Sequence, residues 1–432
     1  RNDALLPSPS VRRSPSSPSS SALRVYYVDT AEDAPRDVQS MEEWSALCGA
    51  QTCEGFQLTT EDGGYDYGVT TTVDIPAETA ALFVPENMIL SYDKAIAEFG
   101  KLDEAERFLR GLNAADEIKR YYLVAKILYE WERGDESPWF PWLNSLPRYF
   151  TNGASMTEFC FECLPPLAAS LAVKERTNLM GLSNVDKVPF LSDETKNDGP
   201  LCKWAFQIAY TRAFEAEDGS GDLRIVPLAD MFNHAADEEI RLTYDDEGNC
   251  YACTTRDVPA GSPLRMSYGD PTNPSKLFAR YGFLDESTAA TFCKIMIPHV
   301  DSKLEDMGYA HDRMLFYTDT GDVSEEVWDV LLYQLLGSTN AAQKRQFYVA
   351  HMNGEEEIKR QFHDSYWTET SAKLLDHIDG FLDQLDKLSA KAEGRDVSQH
   401  PRLPLIMAHN DFVRNTFLAV RSKYFGERDA FQ

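Results

Sequence analysis

The sequence predicts an α+β protein: short strands on both sides of a helical middle, then a long region that is helical to its end. Three observations carry this reading. Residues 68–90 and 224–269 hold β-rich runs separated by turn residues. Residues 93–180 and 200–216 place apolar residues at helical spacing, and the stretch from about 290 onward does so again. Strands set apart in this way lack the regular βα alternation of a doubly wound sheet. Neither G-x-G-x-x-G between a strand and a helix nor G-x-x-x-x-G-K-[ST] occurs, which argues against nicotinamide and nucleoside-triphosphate enzymes.

The first thirty residues stand apart. LLPSPSVRRSPSSPSSSALRV is rich in Ser, Pro and Arg and nearly free of acid, a composition that buries too little apolar surface to pack. Residues 1–37 are therefore expected to be a disordered or targeting-derived segment. Residues 38–50, VQSMEEWSALCGA, follow as a short amphipathic helix, with Ser40 as its cap and Glu43 three residues on. GVTTTVDI and AALFVP are β-rich and are divided by a turn at Pro76. KAIAEFG, EAERFLRG and ADEIKRYYLVAKILYEWERG are helical. ESPWFPWLNSLPRYF is aromatic and broken by Pro, and reads as a packed connector, with a groove wall as the alternative. Two shorter helices are expected around Pro165 and Pro166, and one helix over 200–216.

RIVPLADMFNH is a short apolar segment that ends in polar groups. EIRLTYDD, GNCYACTTRDV and PLRMSYG then form three short strands, with turns at DEGN and VPAGS. KLFARYGFL is a short helix that meets a sharp change at Gly282. Four further segments after residue 320 keep helical periodicity to the end of the chain.

Composition narrows the function. With 432 residues, 43% of them hydrophobic, the chain is long enough for a sizeable core and two or three structural units. Seventy acidic against 42 basic residues give a formal charge of -28, which argues against broad nucleic-acid affinity. No run of eighteen apolar residues occurs, so no membrane span is expected. Cys160-x-x-Cys163 and Cys250-x-x-Cys253 have a spacing that zinc ligands use. FCFEC is apolar, however, and CYAC alternates as a strand, which turns its two thiols to opposite faces. Separate thiols in a reducing compartment are the simpler reading, and no metal site is expected.

The sharpest segment is Pro227-Leu-Ala-Asp-Met-Phe-Asn-His234, where Asp230, Asn233 and His234 interrupt an apolar run just before the three strands. Two more signals follow it: Ser267-Tyr-Gly-Asp-Pro-Thr-Asn273 and Tyr281-Gly-Phe283. In this order and at these distances they resemble the SET-domain family, in the branch typified by the Rubisco large-subunit lysine methyltransferase and the actin-histidine methyltransferase. Lys203–Phe214 resembles the family helix that ends in [ST]-R-A-F. The resemblance covers the chain from about residue 40 to its end. It implies a SET β-fold with a pseudoknot. Residues 38–94 and 216–289 would supply its two parts, residues 95–215 a helical insertion, and residues 290–432 an all-helical substrate-binding domain.

What the resemblance implies for chemistry is transfer of a methyl group from S-adenosylmethionine to the lysine amine of a non-histone protein, a reaction that calls for no metal. By resemblance Tyr268 lies near the transferring methyl, and Tyr281 lies beside the amine. Thr211 and Asp230 are the polar neighbours of the substrate. Arg212 pairs with the cofactor carboxylate, Asn233 and His234 hold the cofactor, and Phe283 packs on its adenine. Gly68 matches the second glycine of the family's E-G-x-G turn. Asp66, in Tyr65-Asp66-Tyr67-Gly68, replaces the first, and the adjacent Gly63-Gly64 suggests a rebuilt loop. Asn273 is expected to fix the loop after Tyr268. Phe214, two residues after the arginine, is Phe in the lysine-modifying members and Asn in the actin-histidine member. Phe214 and Tyr281 thus favour lysine over histidine. The alternatives are a protein-histidine methyltransferase and a SET fold that binds protein without catalysis. Compartment remains open among cytoplasm, plastid and nucleus.

Overall fold

The computed structural model describes residues 25–60, 63–216, 219–269, 274–288, 290–292, 302–309 and 313–426. Residues 1–24, with the Ser/Pro-rich segment, and Asn273 lie outside them. The chain opens with α1 (Val38–Leu47), β1 (Gln51–Thr52), β2 (Phe56–Thr59), β3 (Gly68–Thr71), β4 (Ala80–Val84) and β5 (Leu90–Ser91). A helical stretch follows: α2 (Tyr92–Phe99), α3 (Asp103–Gly111), α4 (Ile118–Glu132), α5 (Phe140–Ser145), α6 (Glu158–Glu162), α7 (Pro166–Leu182), α8 (Asp193–Asn197) and α9 (Gly199–Arg212). Next come β6 (Phe214–Glu215), β7 (Leu223–Ile225), β8 (Asn233–His234), β9 (Ile240–Tyr244), β10 (Cys250–Thr254), β11 (Pro263–Met266) and α10 (Pro274–Tyr281). The last part holds β12 (Ala290–Phe292), α11 (Ser302–Asp306), β13 (Leu315–Tyr317), α12 (Glu325–Thr339), α13 (Ala341–Met352), α14 (Glu356–Ala392) and α15 (Leu403–Phe425).

The sheets join what the helices separate. Their strand orders are β1-β4-β10-β9, β2-β3-β11-β8 and β5-β7-β6, so each carries strands from both sides of the helical stretch. Antiparallel β5–β7 closes that stretch at its base, with Leu90 opposite Ile225 and Ser91 opposite Arg224. β10 shows why it is a strand: Cys250, Ala252 and Thr254 are buried while Tyr251 and Cys253 are half-buried, the alternation of a one-sided core. The parallel pairing of β8 with β11 sets Met266 beside His234 and brings two distant motifs side by side.

Local differences from the sequence expectations have physical causes. Asp37, not Ser40, caps α1, its carboxylate accepting from the Ser40 N–H. The expected helix over 200–216 stops at Arg212, because Phe214 and Glu215 pair with Arg224 and Leu223 instead. Of the two helices around Pro165 and Pro166, the second runs 17 residues; Pro166 is its first residue, where a missing N–H costs nothing. The C-terminal region is helical apart from the short antiparallel ladder of β12 with β13.

One apolar core fills the sheets and the helices packed on them, and a second lies among α12, α14 and α15. A third, smaller cluster joins α6 and α7 to Phe278 of α10 and to Leu403 and Ile406 of α15. Among the described residues no helix is long and apolar enough to cross a membrane. Among them too, no group of three His, Cys, Asp or Glu side chains is placed to hold a metal ion.

Candidate functional site

The site forms where α9, the β8 turn, β11 and α10 end. Leu228, at φ +69, kinks the chain ahead of the short helical turn Ala229–Met231. A branched residue in the left-handed region is strained and persists only where surrounding structure enforces it. The kink delivers Asp230 inward and leads into Asn233 and His234. Asn233 lies against β3: a Cβ on Gly68 would come 2.8 Å from its Nδ2, so Gly68 provides the clearance.

Tyr268 follows β11 by two residues, and the parallel register places its backbone N–H on His234 Nδ1 at 3.1 Å. That bond requires Nδ1 to accept, which puts the proton of a neutral ring on Nε2, 3.5 Å from the Asp285 carboxylate. Burial lowers the His234 pKa, and Asp285 offsets part of the drop, so the imidazole is neutral at pH 7. The Tyr268 hydroxyl donates to the Phe232 carbonyl at 2.6 Å. Burial pushes that phenol well above its ordinary value and keeps it protonated. The Tyr281 ring lies 4.8 Å from that of Tyr268. Gly282, at φ +83, then turns the chain so that Phe283 returns to 5.7 Å from His234.

At the end of α9 the Thr211 hydroxyl donates to Gln207 O at 2.7 Å. Arg212 donates to the Asp230 carbonyl and pairs with the Asp230 carboxylate at 3.2 Å. The same carboxylate accepts from the Trp142 indole N–H at 3.2 Å. The Asp230 side chain is fully buried, and its Oδ1 and the Arg212 Nε have no hydrogen-bond partner among the described residues.

Three hollows meet here. A cavity of about 510 Å³ is lined by Thr211, Arg212, Asp230, Asn233, His234, Tyr268, Tyr281 and Phe283, among others. A narrow hollow of about 90 Å³ shares Thr211, Arg212, Asp230, Tyr268 and Tyr281 with it and adds apolar walls from Phe214, Ala229, Phe232 and Met266. Beyond Phe214 and Met266 a groove of about 730 Å³ opens outward. Of the described residues given a catalytic, cofactor or substrate role from sequence, all but two line the 510 Å³ cavity. Gly68 lies behind Asn233, and Phe214 stands on the narrow hollow.

Asp66 does not take up the left-handed geometry of a missing glycine. Its carboxylate accepts from the Tyr67 N–H at 3.0 Å, and the positive φ values fall at Gly63 (+80) and Gly64 (+104). The positive-φ freedom of this loop thus lies at Gly63 and Gly64, upstream of Asp66. Sequence reasoning missed Arg36, whose Nε donates to Ser145 O at 2.7 Å and whose Nη1 donates to Tyr65 O at 2.8 Å. Its guanidinium lies 4.8 Å from the Tyr67 ring, and burial, then the Arg212 cation, lowers its pKa. No motif marks this placement; only the tertiary position of the loop does. Within the aromatic connector Trp142 is fully buried, while Pro147, Tyr149 and Phe150 line the 510 Å³ cavity, as does Thr151 just beyond it.

The SET domain family matches residues 66–269. The chain is similar to the actin-histidine N-methyltransferase of Danio rerio, 25% identical over 275 residues, 59% of this chain and 43% of that protein. It is also similar to SET domain-containing protein 4 of Artemia parthenogenetica, 26% identical over 184 residues, 38% of this chain and 43% of that protein. The matches thus span less than half the length of these curated relatives. In fold it is similar to the SET domain of LSMT bound to lysine and AdoHcy, with TM-score 0.63 and 17% identity over 91% of this chain and 92% of that one. Rubisco LSMT bound to AdoMet gives TM-score 0.62 and 16% identity, over 90% of this chain and 92% of that one.

Proposed function

From the premise that this chain carries a SET domain over residues 66–269, we propose that it transfers the methyl group of S-adenosylmethionine to the side-chain amine of a lysine in a non-histone protein. The observation that carries the reading is the meeting of a large cavity and a narrow apolar hollow at Tyr268 and Tyr281. The residues fit the cofactor. About 510 Å³ is within the range of small-molecule sites. Phe283 and His234 offer ring faces to an adenine, Asn233 offers an amide, and the unpartnered Arg212 Nε suits a carboxylate. Bound there, S-adenosylmethionine supplies a methyl group on an electrophilic sulfonium.

The chain's own residues prepare the acceptor. Phe214, Ala229, Phe232 and Met266 strip water from an incoming alkyl chain, and desolvation lowers an amine's pKa and frees its lone pair. Asp230, whose Oδ1 has no hydrogen-bond partner among the described residues, balances the ammonium until it releases its proton to water. Tyr268 is held protonated, so it acts as a hydrogen-bonding group that orients and steadies charge, not as a base. Tyr281 borders both hollows and aligns the amine. The outer groove takes the polypeptide that flanks the target.

A second reading, methylation of a histidine, is favoured by the relatives named as actin-histidine N-methyltransferases. Phe214 and the apolar walls beside it support lysine. The experiment is transfer of labelled methyl from S-adenosylmethionine to cell proteins, followed by hydrolysis and amino-acid analysis, for the wild type and Tyr268→Phe. Labelled methyl-lysine, reduced on the order of a hundredfold in rate by the substitution, supports the proposal. Labelled methyl-histidine replaces lysine with the second reading. Folded protein that neither transfers methyl nor binds S-adenosylmethionine would be a SET fold that binds protein without catalysis.

A further inference from the structure

We propose that Asn152 and Gln207 are positioning residues: a buried amide pair that sets where Tyr281 stands relative to Thr211 and Arg212. The kinetic part of this inference rests on the methyl transfer proposed above; the geometric part does not.

Both side chains are fully buried. They bond reciprocally, Asn152 Nδ2 to Gln207 Oε1 at 2.7 Å and Gln207 Nε2 to Asn152 Oδ1 at 3.0 Å. Each amide spends its other hydrogen on a third group: Asn152 on the Arg280 carbonyl at 2.9 Å, Gln207 on the Ser155 hydroxyl at 2.9 Å. All four N–H groups are satisfied without water. A fully satisfied buried network is rigid and directional, whereas an apolar pair of the same volume tolerates sliding.

What the network holds is specific. The Arg280 carbonyl precedes Tyr281. On the other side of Tyr281, the Gly282 carbonyl accepts from the Thr151 hydroxyl. Consecutive residues 151 and 152 therefore grip the carbonyls before and after Tyr281. Gly282 leaves no alternative seat, since a Cβ there would strike Thr151 and the Asn152 backbone. Gln207 closes the circuit on α9: its own carbonyl accepts from the Thr211 hydroxyl, and Arg212 is the next residue. Two parts of the site about seventy residues apart in sequence are thereby registered through one amide pair.

Asn152→Asp removes both N–H donors at nearly constant shape, leaving the Arg280 carbonyl without its partner. Thr151→Val is the milder companion, deleting only the bond to Gly282. With cell proteins as the methyl acceptor, each substitution in the full chain is expected to lower the transfer rate at saturating S-adenosylmethionine about tenfold or more, with KM for S-adenosylmethionine changed by about twofold at most. In a Tyr281→Phe background the same substitutions should cost about twofold or less, because their effect passes through Tyr281. Losses that simply multiply would overturn the proposal and leave a role in stability alone. An arm independent of activity uses 3-fluorotyrosine-labelled protein, with the Tyr281 resonance identified by its disappearance in Tyr281→Phe. That resonance should shift or broaden in both variants. An unmoved resonance overturns the inference even in an active enzyme. A moved resonance in a chain that transfers no methyl sustains the geometry and rejects the functional reading.

Discussion

Asp230 accepts from the Trp142 indole and pairs with Arg212, while its second oxygen has no partner among the described residues. Removing this carboxylate leaves the Arg212 guanidinium, only 13% exposed, without a carboxylate in contact among the described residues. Breaking one side of a buried pair is costly because the surviving charge stays desolvated. Asp230→Ala is expected to lose about 3–5 kcal/mol of stability, read as a shift of the urea midpoint at constant slope. A loss below about 1 kcal/mol would mean that water or another group replaces the carboxylate. At this scale the motif residues were legible. Asp230, Asn233, His234, Tyr268, Tyr281 and Phe283 fall in three short runs whose order survives in the sequence. Arg36 and Trp142 were not, because each gains its place from a partner about ninety or more residues away.

Helices α10 and α15 meet through His409, which is buried against the Phe278 ring at 4.6 Å with its Nε2 3.0 Å from the Ser275 hydroxyl. Burial pushes the His409 pKa down to about 4, and that of His377 on α14 likewise to about 4. The sign follows. An unfolded histidine takes up its proton near pH 6.5, before the folded one does, so protons favour unfolding in that interval. Stability is full above about pH 6.5 and is lost as pH falls toward about 4, by about 3 kcal/mol for each histidine. Urea midpoints measured from pH 7 to 4.5 should fall less steeply in His409→Gln than in the wild type. Identical slopes would show that His409 is already hydrated in the folded chain. Among the elements, strand and helix types were legible from periodicity, but their ends were not. α9 stops at Arg212 because its next residues find strand partners on β7, a tertiary gain that outweighs helical propensity.

At the scale of the molecule, the C-terminal helices are not an appendage. Leu403 and Ile406 of α15 share a cluster with Phe278, which sits three residues before Tyr281. Asn410 donates to Cys163 O at 2.8 Å and Arg402 to Phe150 O at 3.1 Å. Each large apolar side chain buried here stabilises by about 1.5–3 kcal/mol. Ending the chain before Leu403 is expected to lower the thermal midpoint by on the order of 10 °C or to leave the protein insoluble. An unchanged midpoint would mean that the site folds without α15.

The sequence by itself determined the α+β class, the helical character of the middle and C-terminal regions, and the family resemblance, because periodicity and short motifs are properties of neighbouring residues. Only the tertiary structure decided how the motifs form a site. The parallel register of β8 with β11 places His234 under Tyr268. Asn152 and Gln207 join α9 to α10. Each of these is a contact between segments far apart in the chain, and no local pattern encodes which distant backbone group will satisfy a buried donor.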